Sequence, residues 1–331
     1  MTDDVGDIQG PIRNGGVTDD STPTLSGRGT PGDTVHVYDN GTRLEPVVVV
    51  KPDGAWTFTP PVPFINGLHS LTVVFEDPAG NRSDASDPWV VEVDTIPPGR
   101  PSIDGLYNNE GASEISIAEG GSTNDTTPVL RGKAEAGATV KIFDKGAPVG
   151  TAMANQNGDW EFIPTQAWLA GEHELTVQAT DEAGNTSGPS NSWRVSIDIS
   201  VPDRPSIDAV YDNAGDVQGQ VTAGTTIDDP RPVVRGRAEA GSTVKLYDNG
   251  NLVGQTVADN QGNWEVRSDT LGLGSHSLTA RSTDTAGNVS DPSDAFAFNL
   301  IIGDAPAVPA ITGVTDDVGD YQGPLQKNDR T

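Results

Sequence analysis

Apolar and polar residues alternate along much of this chain in short runs, the period of a strand that buries one face. Between residues 96 and 199 such runs fall at Pro101–Leu106, Pro128–Ala134, Thr139–Phe143, Val149–Ala154, Trp160–Ile163, His173–Thr180 and Ser192–Ile197. Leu175, Val177 and Ala179 share one face, as do Trp193, Val195 and Ile197, with polar residues between them. Asp144-Lys145-Gly146 and its counterparts Asp39-Asn40-Gly41 and Asp248-Asn249-Gly250 predict tight hairpin turns. Val149–Ala154 is expected to pair with Trp160–Ile163 through the turn at Asn157-Gly158.

The whole pattern repeats. Trp56, Trp160 and Trp264 lie 104 residues apart, and Asp77-Pro78-Ala79-Gly80-Asn81 returns as Asp181-Glu182-Ala183-Gly184-Asn185 and Asp284-Thr285-Ala286-Gly287-Asn288. Thr2-Asp3-Asp4-Val5-Gly6-Asp7 reappears as Thr315-Asp316-Asp317-Val318-Gly319-Asp320. A period of this length is one sandwich domain, too long for a solenoid turn or a propeller blade. The expected fold is all-β: tandem seven-stranded sandwiches of the immunoglobulin type. The expected divisions are 1–95 with its first strand missing, 96–199, 200–304, and 305–331 as the beginning of a fourth repeat. Prolines mark the linkers at Asp94-Thr95-Ile96-Pro97-Pro98, Asp198-Ile199-Ser200-Val201-Pro202 and Gly303-Asp304-Ala305-Pro306, favouring stiff joints. Chain ends that fall inside repeats suggest an interior fragment of something longer. The three repeat tryptophans, in phase with Phe58, Phe162 and Val266, are expected at the sandwich cores, where disulfides would otherwise serve.

Composition removes several functions. The chain carries 39 glycines and 25 prolines in 331 residues, which suits turns and strands more than helices. Its formal charge of −28 repels nucleic acid and anionic membranes and attracts divalent cations. With no cysteine there is no disulfide framework and no thiolate metal site. No apolar run is long enough to span a bilayer as a helix, and the start does not read as a signal peptide. No catalytic triad, phosphate loop or zinc motif occurs, so the chain is not read as an enzyme. His69, His173 and His276 stand at matching places and are expected to serve the fold, while His36 in its alternating strand is expected to face solvent. Trp168, without a counterpart in the other repeats, is the one candidate sugar platform, weighed against a partly buried loop position.

The acidic residues gather where domains should join. In a sandwich of this strand order the connection after the first strand, the linker and the Asp-x-Ala-Gly-Asn loop of the next domain meet. At the first joint they bring Asp3, Asp4 and Asp7, then Asp94, then Asp181. Calcium takes six to eight oxygen ligands, many from Asp, with glycine allowing the tight turn. The first-to-second-strand connection, about 20 residues, is long unless something orders it, and a bound ion would. The second joint has Asn108-Asn109-Glu110-Gly111 facing Asp198 and Asp284, so calcium is expected there more weakly or not at all. The third set is Asp212, Asn213 and Asp216, with Asp304.

Together the Asp-Asp-x-Gly loop, the Asp-Thr-x-Pro-Pro linker, Asn-Gly-x-Trp and Asp-x-Ala-Gly-Asn resemble the bacterial immunoglobulin-like repeats of giant type I-secreted adhesins and biofilm-associated proteins. The resemblance implies an elongated rod of repeats, stiffened by Ca2+ between domains, that projects a distal adhesive domain for attachment to host cells or surfaces and for biofilm formation. By matching motif it implies Asp3, Asp4, Asp94, Asp181, Asp198, Asp284, Asp212 and Asp216 as ligands. It also implies a secreted or cell-surface location. The partners expected are neighbouring repeats of the same chain and a receptor engaged through other domains; the fragment itself is expected to be monomeric. The other readings are a ligand-binding, lectin-like module and an accessory module of a secreted enzyme.

Overall fold

The computed structural model describes residues 1–111, 113–215 and 218–301, together with the short strands Thr315–Asp316 and Gly323–Pro324. Every regular element among them is a strand. Contacts divide the chain into one unit of Met1–Val201 with Thr285–Asn288 and a second of Pro202–Asp284 with Val289–Thr331. The first unit holds two β-sandwiches and the second holds one.

The second sandwich shows how the alternating runs are used. One sheet has the order Ile115–Ile117, Ser102–Asn108, Val129–Lys133, Asp159–Phe162. The other runs Gly121–Thr123, Trp193–Ile197, Gly171–Thr180, Thr139–Asp144, Ala147–Met153. Leu175, Val177, Ala179, Val195 and Ile197 point between the sheets and are buried, as period-2 alternation requires. Trp160 is 3% exposed and crosses the core from the opposite sheet. It pairs directly with Gly132, where a side chain would collide with the indole and with the Ser102 carbonyl. Gly27 with Trp56 and Gly236 with Trp264 repeat this arrangement, so the tryptophans are core residues in all three sandwiches.

Two details differ from the sequence reading. The long connection after the opening strand is ordered by pairing: Ile115–Ile117 turns back on Ser102–Asn108, then Gly121–Thr123 joins the other sheet, parallel to Trp193–Ile197. Ala147–Met153 pairs with Thr139–Asp144 and not with the Trp160 strand, which belongs to the other sheet beside Val129–Lys133. The Asn157-Gly158 turn therefore carries the chain from sheet to sheet. The hairpin turn at Lys145-Gly146 has φ of 49° and 82°, the doubly positive geometry that asparagine or lysine before glycine adopts in a two-residue hairpin.

The third sandwich has the same layout, with Ser206–Asp212, Val233–Arg237 and Asn263–Arg267 in one sheet and Phe296–Leu300, Gly274–Thr283, Thr243–Asp248 and Asn251–Val257 in the other. The first differs in one sheet, where only Leu25–Arg28 and Ala55–Phe58 pair, and its leading residues form a hairpin of Thr2–Asp3 with Gly10–Pro11.

The repeated histidines are internal staples. His173 is buried; its Nε2–H donates to the Leu169 carbonyl at 2.8 Å and its Nδ1 lies 2.8 Å from Asp144 Oδ2. His69 bridges Ile65 and Asp39, and His276 bridges Gly272 and Asp248, in the same way. Each fastens the loop before a long strand to the hairpin beside it. His173→Ala removes both contacts at once, to the Leu169 carbonyl and to Asp144, and is expected to cost about 1–3 kcal/mol, measurable by denaturant unfolding. His36 is a correction: it is buried, with Nε2 3.1 Å from Glu76 Oε2, because both faces of its strand are covered around Val35 and Val37. Trp168 is also buried, stacked on His173 with ring centroids 5.3 Å apart, and offers no platform to a sugar.

Candidate metal centre

The first unit contains the joint between its two sandwiches. Three hydrogen bonds cross it: the Asp19 N–H donates to the Ala183 carbonyl at 3.1 Å, Asn185 Nδ2 donates to the Asp94 carbonyl at 2.8 Å, and the Thr186 hydroxyl donates to Asp7 Oδ2 at 3.0 Å. A loop of the second sandwich is thus held against the leading hairpin, the Val17–Asp20 segment and the linker of the first.

The Asp-x-Ala-Gly-Asn loop is built by its own aspartate. Asp181 Oδ1 accepts from the Gly184 and Asn185 N–H groups, and Oδ2 accepts from Asn185 Nδ2. Asp77, in the first sandwich, accepts from the Asn81 side-chain amide and N–H in the same way, and from the Ala79 N–H in place of the glycine; these bonds, the Asn81 amide foremost, hold its carboxyl below the usual carboxylate range. Asp94 Oδ1 caps the Ile96 N–H at 3.0 Å. Asp3 is buried and accepts from the Val5 N–H at 2.9 Å and from the Thr18 hydroxyl. Asp4 and Asp7 are exposed.

Two residues absent from the sequence-based set occupy the centre of this group. Asp19 lies between Asp3, Asp20 and Asp181; burial first, then the charge of Asp3, push its carboxyl up, opposed by its own backbone hydrogen bond, with Asp181 and Asp20 adding to the rise. Gly6, at φ 64°, passes so close to the Asp19 carboxylate that a side chain there would occupy the same space. Asp20 is 1% exposed; its Oδ1 accepts from Thr22, while its Oδ2 and Asp19 Oδ1 are buried with no partner among the described residues. A cleft of about 240 Å3 beside the joint is lined by Glu92, Asp94, Glu135, Asp181 and Glu182, which deepens the negative potential.

All these donors are oxygens, most of them anionic, and two buried ones are orphaned. That is a hard-cation set and suits calcium in ligand type. Among the described residues no three acidic or imidazole side chains already converge on one point. Ligation would draw Asp19 and Asp20 together with Asp3 and backbone carbonyls.

The equivalent loop of the second sandwich is built differently. Asn108 Nδ2 donates to the Thr123 hydroxyl at 3.1 Å and to Asn124 Oδ1 at 3.3 Å, and Asn108 Oδ1 accepts from the Glu110 N–H. Asp125, in the place of Asp20, has both oxygens bonded, to the Asn109 and Thr127 N–H groups. An amide pair thus occupies the positions of Asp3 and Asp19 and closes on itself. With calcium chelated, Asn108→Asp removes those donors and adds a charge beside Asp125, and is expected to cost about 1–3 kcal/mol. Added calcium is expected to restore part of that loss, read by hydrogen exchange across residues 102–125.

In the second unit the acidic version returns. Asp212 is buried and accepts from the Ala214 and Asp228 N–H groups, Asp229 accepts from Asn213 and Arg231, and Gly215 passes against the Asp228 carboxylate as Gly6 does against Asp19. Asp216 and Asp304 lie outside the described residues. Asp198, in the first unit, is half-buried and caps Ser200, whose N–H holds its carboxyl low; Asp284 belongs to the second.

A family model for the bacterial Ig-like domain matches residues 2–95 and 111–199, and one for a bacterial Ig domain matches residues 223–299. No curated protein matches the chain. Among solved structures it is similar to a Ca2+-stabilized adhesin that helps an Antarctic bacterium reach out and bind ice, at 20% identity and TM-score 0.38, covering 90% of this chain and 72% of that one. A 1.5-MDa bacterial ice-binding adhesin matches at 19% identity and TM-score 0.30, over 87% of this chain and 95% of that one. A tetra-tandem repeat from the extending region of a large adhesion protein matches at 18% identity and TM-score 0.25, over 85% and 71%.

Proposed function

The chain belongs to the bacterial Ig-like domain family, and from that premise we propose that it is a non-catalytic extender segment of a large bacterial surface or secreted adhesin. In this reading calcium stiffens its acidic joints, and it projects an adhesive domain carried elsewhere in the parent protein for surface attachment and biofilm formation. The observation that carries the reading is the pair of buried, unpartnered carboxylate oxygens of Asp19 and Asp20 at the first joint, within the negative field of Asp3 and Asp181.

Asp3, Asp19 and Asp20 would hold the ion, with Asp4, Asp7, Asp94 and Asp181 around it, and the loop of Asp212, Asp228 and Asp229 would hold another. Bound calcium supplies positive charge that removes the mutual repulsion of these carboxylates. The crossing bonds of Asp19, Asn185 and Thr186 then keep the two sandwiches in one orientation, so the joint resists bending. The amide pair of Asn108 and Asn124 would need no ion. Repetition of one core plan, with the histidines and Trp168 among the described residues committed to packing, supports the non-catalytic reading.

Small-angle scattering of the chain in calcium and then in excess chelator tests this. A distance distribution that broadens on chelation, and does so less in Asp19→Asn, is the expected result. An identical profile in both buffers would overturn calcium stiffening and leave shape to the prolines and packing.

A further inference from the structure

The second sandwich has a strand edge that the other two protect. Ala147–Met153 ends its five-stranded sheet, and among the described residues no strand pairs with the outer side. The Ala154 N–H donates to the Ala138 carbonyl at 3.0 Å, which fixes the phase of the ladder with Thr139–Asp144. In that phase Thr151 and Met153 turn their N–H and C=O groups away from the sheet, and no described backbone group takes them up. The register shift beside Pro148 blunts only the start of the strand. In the first sandwich the corresponding stretch is split into Thr42–Arg43 and Val48–Val49, with Arg43, Glu45, Pro46 and Lys51 around the break. In the third, Asn251–Val257 is continuous, but the Asp269 N–H donates to the Val253 carbonyl at 2.7 Å and covers the edge there. Broken strands, charges, prolines and covering loops keep an edge from pairing. Over Val149–Met153 the second sandwich uses none of them.

The chemistry of the edge selects its partner. Residues 146–158 contain no charged side chain, in a chain of formal charge −28. A strongly acidic molecule meets a copy of itself with least repulsion at such a stretch, and salt at about 0.15 M screens charges more than about 8 Å away. Val149-Gly150-Thr151-Ala152-Met153 is also self-complementary in antiparallel register about Thr151. Val149 then meets Met153 of the second copy, Gly150 meets Ala152, and Thr151 meets Thr151. Val149 and Met153 are 38% and 64% exposed, so this register covers two exposed apolar pairs at once. Apolar and Thr–Thr pairs directly opposite each other stabilise antiparallel strands. The Thr139 hydroxyl already holds the Met153 sulfur at 3.3 Å, fixing that side chain against the neighbouring strand. Moving the centre to Ala152 would set Met153 against Thr151 and Val149 against Asn155, and both apolar pairs would be lost.

We propose that two copies of this chain associate through Val149–Met153, antiparallel about Thr151, joining their five-stranded sheets edge to edge. Each Thr151 N–H donates to the Thr151 carbonyl of the other copy, and the exposed Val149 and Met153 side chains cover one another. The contact is isologous, the same strand on both sides, so it closes at the dimer. It uses none of the acidic joints and does not rest on calcium. It also differs from the monomer expected from the sequence.

Sedimentation velocity of the full chain, over a concentration series reaching about 1 mM, in calcium and again in excess chelator, decides it. The expected result is a monomer–dimer equilibrium in both buffers with no larger species. Thr151→Lys sets two like charges directly opposite each other, and Thr151→Pro removes the outward N–H without touching the ladder inside the sheet. Each is expected to weaken the dimer at least about tenfold, while hydrogen exchange across residues 171–197 stays as in the wild type and shows the sandwich intact. Gln255→Lys, the matching change on the covered edge of the third sandwich, is expected to leave the dimer unchanged. Exchange at the Thr151 and Met153 amides of the wild type should slow as concentration rises. A monomer at every concentration, or a dimer indifferent to both Thr151 substitutions, would overturn the proposal. So would a dimer that forms only in calcium, or one that Gln255→Lys weakens equally, since the contact would then lie elsewhere.

Discussion

Trp160→Ala is expected to cost the second sandwich about 3–5 kcal/mol, the usual range for deleting a buried aromatic. The cost should be near the top of that range because the site cannot collapse. Gly132 faces the indole directly with no side chain of its own, and the strand beyond it presents the Ser102 carbonyl, so nothing on that sheet can swing in to fill the space. Across the core, in the same cluster as the indole, Val140, Ile142 and Leu175 sit in paired strands whose register prevents approach. Such a loss is comparable to the total stability of an ordinary domain. Hydrogen exchange, read sandwich by sandwich, should show loss of protection across residues 102–197 while the third sandwich keeps its own. A uniform loss over all three would mean that the repeats unfold as one cooperative body. Gly132→Ala should act in the same direction, since its Cβ meets the Ser102 carbonyl and the indole together.

Most of the fold was legible because period-2 alternation and a recurring tryptophan are strong local signals. The seven long strands of the second sandwich appear within two residues or so of their expected ends. Gly121–Thr123 has no apolar residue to betray it, and Ile115–Ile117 is too short to show alternation; both are set by sheet edges available in space. The partner of Ala147–Met153 is not legible, because Asn157-Gly158 has the chemistry of a hairpin turn yet leads into the other sheet. A turn signal fixes chain reversal and does not say which sheet receives the next strand. In the site, Asp3 and Asp181 were visible as repeated motifs, but most of the oxygens of Asp181 and Asp94 are spent on their own loops. Asp19 and Asp20 are hard to see in the sequence because Val17-Thr18-Asp19-Asp20 has locally the composition of a polar turn. The available signal was again the repeat: Thr123-Asn124-Asp125 and Ile227-Asp228-Asp229 keep the second aspartate throughout, and the first becomes asparagine only where Asn108 replaces Asp3. That paired change is what two facing carboxylates or two facing amides would require.

Asp19→Asn should separate the electrostatics of the first joint from its packing. With calcium at about a hundredfold over its dissociation constant, the wild-type joint is expected to gain about 2.7 kcal/mol, by preferential binding to the folded form. The variant should lose most of that gain, because it removes a carboxylate that feels the charges of Asp3, Asp181 and Asp20 while leaving the Asp19 N–H bond to Ala183 in place. In excess chelator the order should reverse, with the variant the more stable, since an amide relieves the repulsion from Asp3, Asp20 and Asp181. The pH dependence has a definite sign. The folded Asp19 carboxyl holds its proton more tightly than it would in the unfolded chain, so the native state binds more protons between the two values. In chelator, stability should therefore fall as pH rises from about 4, the ordinary carboxylate value, through the raised one, and stay lower above it. Proton and calcium answer the same excess of negative charge, so saturating calcium should flatten that slope, and Asp19→Asn should flatten it without calcium. Hydrogen exchange of residues 16–20 and 181–186 at several pH values reads both effects at the joint itself. A wild-type slope untouched by calcium would mean that the acidic group is solvated and holds no ion.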